Sequence, residues 1–249
     1  MINVVDIGNS FLKIAQWDGE DVGKVLRVRH RDLLDGDWQA ALDEAPTLAA
    51  EGVYVASVAG PGAEQVFEAW VLSRGHDRPV FLQASKEAGG VRNAYPRPAS
   101  LGVDRWCAMI AARSLYEGPL CVVDVGTAMT IDWLDTAGQH KGGLIMPGPN
   151  LQAESLFDNT RHLHESSLPP PSMFTDNTSE GIAAGVSYAC AALIDRACGE
   201  IALAAEGEAV VVLTGGEAPQ VLPLLARPAE VYDHLVLRGV ALLAEERRE

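Results

Sequence analysis

The chain has 249 residues, 48% of them hydrophobic, so it can bury one large core or the cores of two domains of about 110 to 130 residues. Its formal net charge of −15 excludes a general affinity for DNA, RNA or anionic membrane surfaces. The cysteines at 107, 121, 190 and 198 form no Cys-x-x-Cys pair and lie in apolar contexts, which indicates buried thiols in a reducing cytoplasm. We expect a cytoplasmic protein with no membrane span, because charged residues interrupt its longest apolar stretch, 181–205.

The N-terminal segment is an apolar strand that ends in Asp6-Ile7-Gly8-Asn9-Ser10, and Lys13 follows three residues later. Glycine allows the backbone to approach phosphate oxygens closely, while Ser10 and Lys13 supply a hydroxyl donor and a positive charge. Asp6 would repel phosphate unless a cation lay between them, so the pattern implies Mg²⁺. By itself, this motif is more often a simple strand-end turn than a phosphate site.

The rest of the first half predicts two further N-terminal strands, two helices and two more strands. These elements are strands at 11–17 and 25–30, a helix at 38–50, a strand at 53–58, a helix at 64–73 and a strand at 79–82. Residues 85–100 have no periodicity and are predicted to be a loop that presents side chains. A helix at 102–117 then links the two halves.

The start of the linking helix carries the sequence Gly102-Val103-Asp104-Arg105. A carboxylate beside a guanidinium suits a site in which one group accepts a hydroxyl proton and the other binds an anion. The alternative is a helix-start carboxylate that interacts only with the helix dipole, and the residues alone favour neither.

The second half repeats the opening pattern, because another apolar strand ends in Asp124-Val125-Gly126-Thr127. Two such strand ends in halves of similar size favour a duplicated phosphate-binding site, and hence a phosphoryl-transfer enzyme. We therefore predict two domains, 1–117 and 118–249, in an α/β fold with mixed sheets flanked by helices.

The remaining elements of the second half alternate between strands and helices. They are strands at 127–133 and 141–146, helices at 150–159 and 179–204, a strand at 209–213, a short helix near 220, a strand at 231–234 and a last helix. Thr178 could cap the long helix or face a ligand. His162 and His164 could suggest a metal site, but no third ligand has suitable spacing, so solvated side chains are favoured.

Taken in order, these motifs resemble those of the type III pantothenate kinases. The resemblance rests on Asp6-x-Gly8-Asn9-Ser10-x-x-Lys13, Tyr95, Leu101-Gly102-Val103-Asp104-Arg105, Asp124-Val125-Gly126-Thr127-Ala128, Gly142-Gly143-x-Ile145-x-Pro147-Gly148 and Asn177-Thr178. It implies two ribonuclease-H-like domains of the acetate and sugar kinase/Hsc70/actin superfamily, with the active site in the cleft between them. It also implies ATP-dependent phosphorylation of pantothenate, the first step of coenzyme A biosynthesis.

The resemblance also assigns roles to individual residues. ATP would be bound by Asp6, Ile7, Gly8, Asn9, Ser10, Phe11, Leu12, Lys13, Gly126 and Thr127. Pantothenate would be bound by Tyr95, Gly102, Val103, Asp104, Arg105 and Thr178, with Asp104 as proton acceptor and Arg105 as partner of the substrate carboxylate. Asp124 would bind a monovalent cation, K⁺ or NH₄⁺, and Asp6 would bind Mg²⁺ with ATP. A homodimer that completes the pantothenate pocket is implied as well.

Two other functions remain as alternatives. The first is a phosphohydrolase of the same superfamily, such as a polyphosphatase, in which water replaces pantothenate. The second is a noncatalytic accessory regulator, because relatives of this family were named as accessory factors for transcription. ATP consumption with and without pantothenate separates the first alternative from the kinase.

Overall fold

The computed structural model describes residues 1–29, 41–42, 44–45, 47–158, 172–205 and 207–248. The chain divides into two compact units, one of residues 1–115 and 234–249 and the other of residues 116–233. Part of the helix predicted at 38–50 lies outside the described residues, as do both His162 and His164. The described residues 47–50 of that segment are not helical, and the N–H of Ala49 donates instead to the side-chain oxygen of Asn3 at 2.9 Å.

The strands and α-helices whose bounds lie within the described residues are as follows. The strands are β1 (Ile2–Ile7), β2 (Phe11–Trp17), β3 (Leu26–Arg29), β4 (Val53–Ser57), β5 (Val80–Phe81), β6 (Glu87–Ala88), β7 (Val91–Arg92), β8 (Leu120–Val125), β9 (Ala128–Leu134), β10 (His140–Pro147), β11 (Val210–Thr214) and β12 (Glu230–Val231). The helices are α1 (Pro61–Ser73), α2 (Val103–Leu115), α3 (Pro149–Asp158), α4 (Thr178–Ala204), α5 (Ala218–Val221) and α6 (Leu235–Glu246).

The first unit is built on a mixed five-stranded sheet of order β3-β2-β1-β4-β5. The central strand β1 pairs antiparallel with β2 and parallel with β4, and all six of its residues are buried. Its run of apolar residues is typical of a strand covered on both faces. One of these faces packs with Leu12, Ile14, Phe67 and Trp70 in a hydrophobic core.

The second unit repeats this topology with a sheet of order β10-β9-β8-β11-β12. Strand β8 takes the place of β1, because it pairs antiparallel with β9 and parallel with β11. The predicted α/β class with mixed sheets and flanking helices is therefore confirmed, and the architecture is repeated as expected. The cysteines are confirmed as free, buried thiols.

The C-terminal helix α6 belongs to the first unit, whereas the sequence prediction placed all residues after 117 in the second domain. Helix α6 packs against α2, β1 and β4. Its apolar face, which includes Leu235, Leu237 and Val240, is fully buried there. A Cβ atom added at Gly239 would overlap the carbonyl group of Cys107, so the two helices approach closely at this glycine.

The segment 85–100 is more ordered than the predicted loop. It contains the hairpin β6–β7, whose turn residues Gly89 and Gly90 have positive φ angles of 54° and 74°. Two glycines with positive φ form the tight turns that join short antiparallel strands. The side-chain nitrogen of Asn93 donates to the carbonyls of Ser85 at 3.1 Å and Pro98 at 3.3 Å, which holds the two ends of the segment together.

Helix α4 is the longest helix of the second unit, with 27 residues. Among the described residues it is the one helix long and apolar enough to cross a membrane by length and composition. Cys190, Ile194, Cys198 and Ile201 on one of its faces pack into the core of the second unit, as in the central helix of a globular domain.

Candidate active site

The predicted first phosphate loop is the turn between β1 and β2. The Gly8 N–H donates to the carbonyl of Phe11 at 2.9 Å and closes the turn. Asp6 and Lys13 are direct partners in the antiparallel register, and the Lys13 Nζ lies 3.0 Å from the Asp6 Oδ2. The buried Asp6 carboxylate is thus partly neutralised by an ammonium group at the base of the loop.

Asp104 lies in the first turn of α2, where its Oδ1 accepts a hydrogen bond from the Arg105 N–H at 2.8 Å. Burial raises the pKa of Asp104 above its ordinary value, and the nearby Asp6 carboxylate raises it further, while Arg105 acts in the opposite direction. A Cβ atom at Gly102 would lie 2.5 Å from the Asp104 Oδ1, which explains the glycine at that position. A carboxylate with a raised pKa is a stronger base once it is ionised.

The predicted substrate residues Tyr95 and Arg105 also meet in the first unit. Arg105 is only 6% exposed, and its Nη1 donates to the Tyr95 hydroxyl at 3.2 Å. The Tyr95 N–H donates to the Asn93 side-chain oxygen at 2.9 Å, so the ordered segment 85–100 positions the ring. The first unit therefore brings Tyr95 to Arg105, which follows Asp104 in α2, and their roles in an anion site and as a base stay predictions.

The second predicted phosphate loop lies at the end of β8. The Gly126 N–H donates to the carbonyl of Ala128 at 3.1 Å, and the Gly148 N–H donates to the carbonyl of Thr127 at 2.9 Å. A Cβ atom at Gly148 would overlap the Gly126 carbonyl oxygen, and one at Gly215 would lie 2.5 Å from the Asp124 Oδ1. Glycines from three segments of the second unit thus converge around Asp124 and Thr127.

Thr178 is exposed and is the first residue of α4. The capping interpretation of Thr178 is wrong, because the cap is Asn177, whose side-chain oxygen accepts from the Glu180 N–H at 2.9 Å. Both residue types are good helix caps, so the sequence alone could not choose between them. Ligand binding by Thr178 stays a prediction.

Two features of the sites were missed at the sequence level. Glu217 receives the N–H of Asn150 on its Oε2 at 3.0 Å, which joins the start of α3 to the turn after β11. The Arg27 guanidinium lies over the Phe11 ring, 3.5 Å from its centroid. Neither contact produces a recognisable sequence motif, because the residues of each pair are far apart in sequence or on different strands.

The carboxylates near the two predicted phosphate loops suit a metal ion that is bound together with the phosphates of a substrate. In the part of the chain that the structure describes, no three His, Cys, Asp or Glu side chains are grouped so that they could hold a metal ion alone. Mg²⁺ in phosphoryl-transfer sites uses one or two carboxylates together with substrate phosphates and water. Asp6 at the base of the first loop fits that role.

The repeated mixed sheets and their flanking helices give the fold of the actin-like ATPase and sugar kinase class. Similar solved structures include a candidate Baf family transcriptional activator from Campylobacter jejuni, with a TM-score of 0.59, 19% identity and coverage of 99% of each chain. Component A of (R)-2-hydroxyglutaryl-CoA dehydratase from Acidaminococcus fermentans is similar as well, with a TM-score of 0.55, 13% identity and coverage of 99% and 98%. At these identities the likeness concerns the fold alone.

The sequence comparisons identify the family. The family model for type III pantothenate kinase matches residues 2–200. The chain is 38% identical to the type III pantothenate kinase of Nitrosococcus oceani, over 99% of this chain and 94% of that protein. It is 39% identical to that of Halorhodospira halophila, over 95% of each chain. The chain therefore belongs to the type III pantothenate kinase family, as its motifs predicted.

Proposed function

We propose that this protein transfers the terminal phosphoryl group of ATP to the primary hydroxyl of pantothenate, the first step of coenzyme A biosynthesis. The observation that carries the proposal is the half-buried Asp104, with its raised pKa, beside the Arg105–Tyr95 pair. A base beside a positively charged group that can bind an anion suits a phosphoryl acceptor with both a hydroxyl and a carboxylate.

In this proposal Asp104 accepts the hydroxyl proton as the oxygen attacks the phosphoryl group. The Arg105 N–H fixes the carboxylate at 2.8 Å, and Gly102 leaves room for it. Phosphoryl transfer has a loose transition state in which orienting the nucleophile matters more than strong basicity. Asp104 therefore acts mainly by orienting the hydroxyl, and the raised pKa favours its role as proton acceptor.

ATP is proposed to bind through Asp6 to Lys13 and through Gly126 and Thr127. The backbone N–H groups of the two glycine turns, the Ser10 hydroxyl and the Lys13 ammonium would donate to phosphate oxygens. Mg²⁺, when bound with ATP near Asp6, would neutralise charge on the phosphates. Asp124 is the proposed site of a monovalent cation, K⁺ or NH₄⁺, which its position among three glycine-containing segments supports.

Arg105 is proposed to bind the pantothenate carboxylate, together with Tyr95, Gly102, Val103 and Thr178. The buried guanidinium offers a planar fork of donors, which suits a carboxylate better than a lysine ammonium does. Residues exposed on the edge strand β10, such as Leu144 and Ile145, support a homodimer. We also propose a cytoplasmic location, since the substrates are cytoplasmic metabolites and the cysteines are free.

The Arg105→Lys variant tests the acceptor site. We expect the KM for pantothenate to rise about tenfold or more, because a lysine cannot replace the paired hydrogen bonds of a guanidinium. The KM for ATP should change less than about twofold, since the proposed nucleotide contacts lie elsewhere. Steady-state kinetics with each substrate varied in turn measure both values.

Arg113→Lys is the matched control, because Arg113 lies in the last turn of the same helix α2. It should leave both KM values close to those of the wild type. An Arg105→Lys enzyme with an unchanged KM for pantothenate would contradict the assignment of the carboxylate to Arg105.

A further inference from the structure

The sheet of the first unit carries a row of charged side chains beside the first phosphate loop. Asp6 on β1 is paired with Lys13 on β2, and Lys13 is paired with Arg27 on β3, in one continuous register. Directly opposed residues of antiparallel strands point to the same face of the sheet, with Cβ atoms about 4.5 to 5.5 Å apart. Arg27 is therefore the second cation in line from Asp6.

The Arg27 side chain is held in place by an aromatic ring. Its guanidinium carbon lies 3.5 Å from the centroid of Phe11, the first residue of β2 after the loop turn. A cation–π contact uses the face of the ring and leaves the guanidinium positively charged, so its N–H groups can still donate to an anion. The ring thus orders a cation without neutralising it.

In the part of the chain that the structure describes, no carboxylate forms an ion pair with Arg27. Strands β2 and β3 contain Lys13, Arg27 and Arg29 but no Asp or Glu, although acidic residues outnumber basic ones by 34 to 19 in the whole chain. Lys13 is paired with Asp6, whereas Arg27 contacts the ring of Phe11. An ordered, exposed guanidinium that shares its sheet face with no Asp or Glu of β2 and β3 favours a role in binding an anion.

We propose that Arg27 binds the phosphate chain of the nucleotide, with Phe11 as the ring that orders it. The inference rests on the proposed function, in which the loop from Asp6 to Lys13 holds ATP. Lys13 is paired with Asp6, so Arg27 would add a further positive charge for the phosphate chain. Phe11 then has a specific task, which is to position Arg27.

The Arg27→Gln variant tests this inference in the full-length enzyme. We expect the KM for ATP and the dissociation constant for ATP to rise about 5- to 30-fold, as for the loss of an exposed charge-assisted hydrogen bond to phosphate. Affinity for adenosine, which lacks phosphates, should stay within about twofold of the wild type, and so should the KM for pantothenate. Arg27→Lys should recover part of the ATP affinity, because it keeps the charge but not the planar fork.

Arg74→Gln is the matched control. Arg74 also lies over an aromatic ring, 5.6 Å from the centroid of Trp70, but at the end of α1 and outside the phosphate loop. The Arg74→Gln substitution removes one positive charge from the same unit, as Arg27→Gln does, and should not alter ATP affinity. Equal ATP affinities for the Arg27→Gln, Arg74→Gln and wild-type proteins would overturn the inference, as would an equal loss of adenosine and ATP affinity.

ATP binding by the Lys13→Gln and Arg27→Gln variants separates the role of Arg27 from the proposed nucleotide site itself. If Lys13→Gln weakens ATP binding while Arg27→Gln does not, the phosphate loop is retained and the role of Arg27 is rejected. If the wild type binds no ATP, or if Lys13→Gln leaves its affinity unchanged, the proposed nucleotide site itself is rejected.

Discussion

The Asp104→Asn enzyme is expected to lose about two or more orders of magnitude in kcat while it retains ATP affinity. Asparagine keeps the size of the side chain and an oxygen that can accept the Arg105 N–H, but it cannot take a proton. The loss should therefore appear in the chemical step. Steady-state kinetics and titration with ATP measure the two quantities separately.

Thermal unfolding distinguishes this loss of chemistry from a loss of folding. Burial raises the folded-state pKa of Asp104 above its ordinary value of 3.8, so ionisation is disfavoured in the folded protein. The stability contributed by the protonated carboxyl is present below the unfolded pKa and is lost as the pH rises through the folded pKa. The asparagine side chain of the variant does not ionise, so Asp104→Asn should be at least as stable as the wild type at neutral pH.

Asp18→Asn is the matched control for the change in charge. The Asp18 carboxylate lies in an exposed turn of the same unit and accepts the N–H groups of Glu20 and Asp21, which asparagine can also do. Its kcat should match that of the wild type. Undiminished turnover by Asp104→Asn would remove Asp104 from the role of proton acceptor.

Among the substitutions proposed for this protein, Gly239→Ala is expected to lower the free energy of unfolding most. The added Cβ would overlap the backbone carbonyl of Cys107, so α6 and α2 would have to separate. Overpacking in a core typically costs about 1 to 3 kcal/mol, and a clash with backbone belongs at the upper end of that range. A Tm lower by about 6 to 12 °C is expected in calorimetry.

Gly62→Ala provides the same substitution in open space. Gly62 lies in the first turn of α1, and no atom lies within 4 Å of the position that its Cβ would take. Alanine there should leave stability unchanged or raise it by up to about 1 kcal/mol, because it restricts the unfolded chain. A Gly239→Ala protein as stable as Gly62→Ala would mean that α6 does not pack against Cys107 as described.

The buried central strands and the glycine turns after them could be predicted from the sequence. Strands β1 and β8 are mainly apolar and lead into Asp-x-Gly, and this combination can be recognised in the sequence without knowing the partner strands. The family predicted from those motifs is confirmed by the comparisons. The local pattern was sufficient here because each signal lies within about ten residues.

The placement of α6 could not be predicted in the same way. Its apolar face predicts a buried helix, but an apolar face fits either of two hydrophobic cores equally well. The choice depends on the close approach of Gly239 to Cys107, residues more than 100 positions apart in the sequence. The hydrophobic periodicity of α6 does not reveal the contact between Gly239 and Cys107.

The contact between Arg27 and Phe11 illustrates the same limit within the site. Alternation in β3 predicts that Arg27 and Arg29 share a face, but not which residue of β2 lies beside them. The register of β2 and β3 decides this, and it places Arg27 opposite Lys13. A pair of strands must be aligned before the row from Asp6 to Arg27 can be seen.

The most direct test of the central claim is to measure ADP and phosphorylated pantothenate together. Purified wild-type protein is incubated with ATP and Mg²⁺, with and without pantothenate, and both products are quantified by mass spectrometry. We expect one phosphorylated pantothenate for each ADP formed, and little ADP when pantothenate is absent. ADP formation at the same rate in both mixtures, without phosphorylated pantothenate, would contradict the kinase assignment and favour a phosphohydrolase.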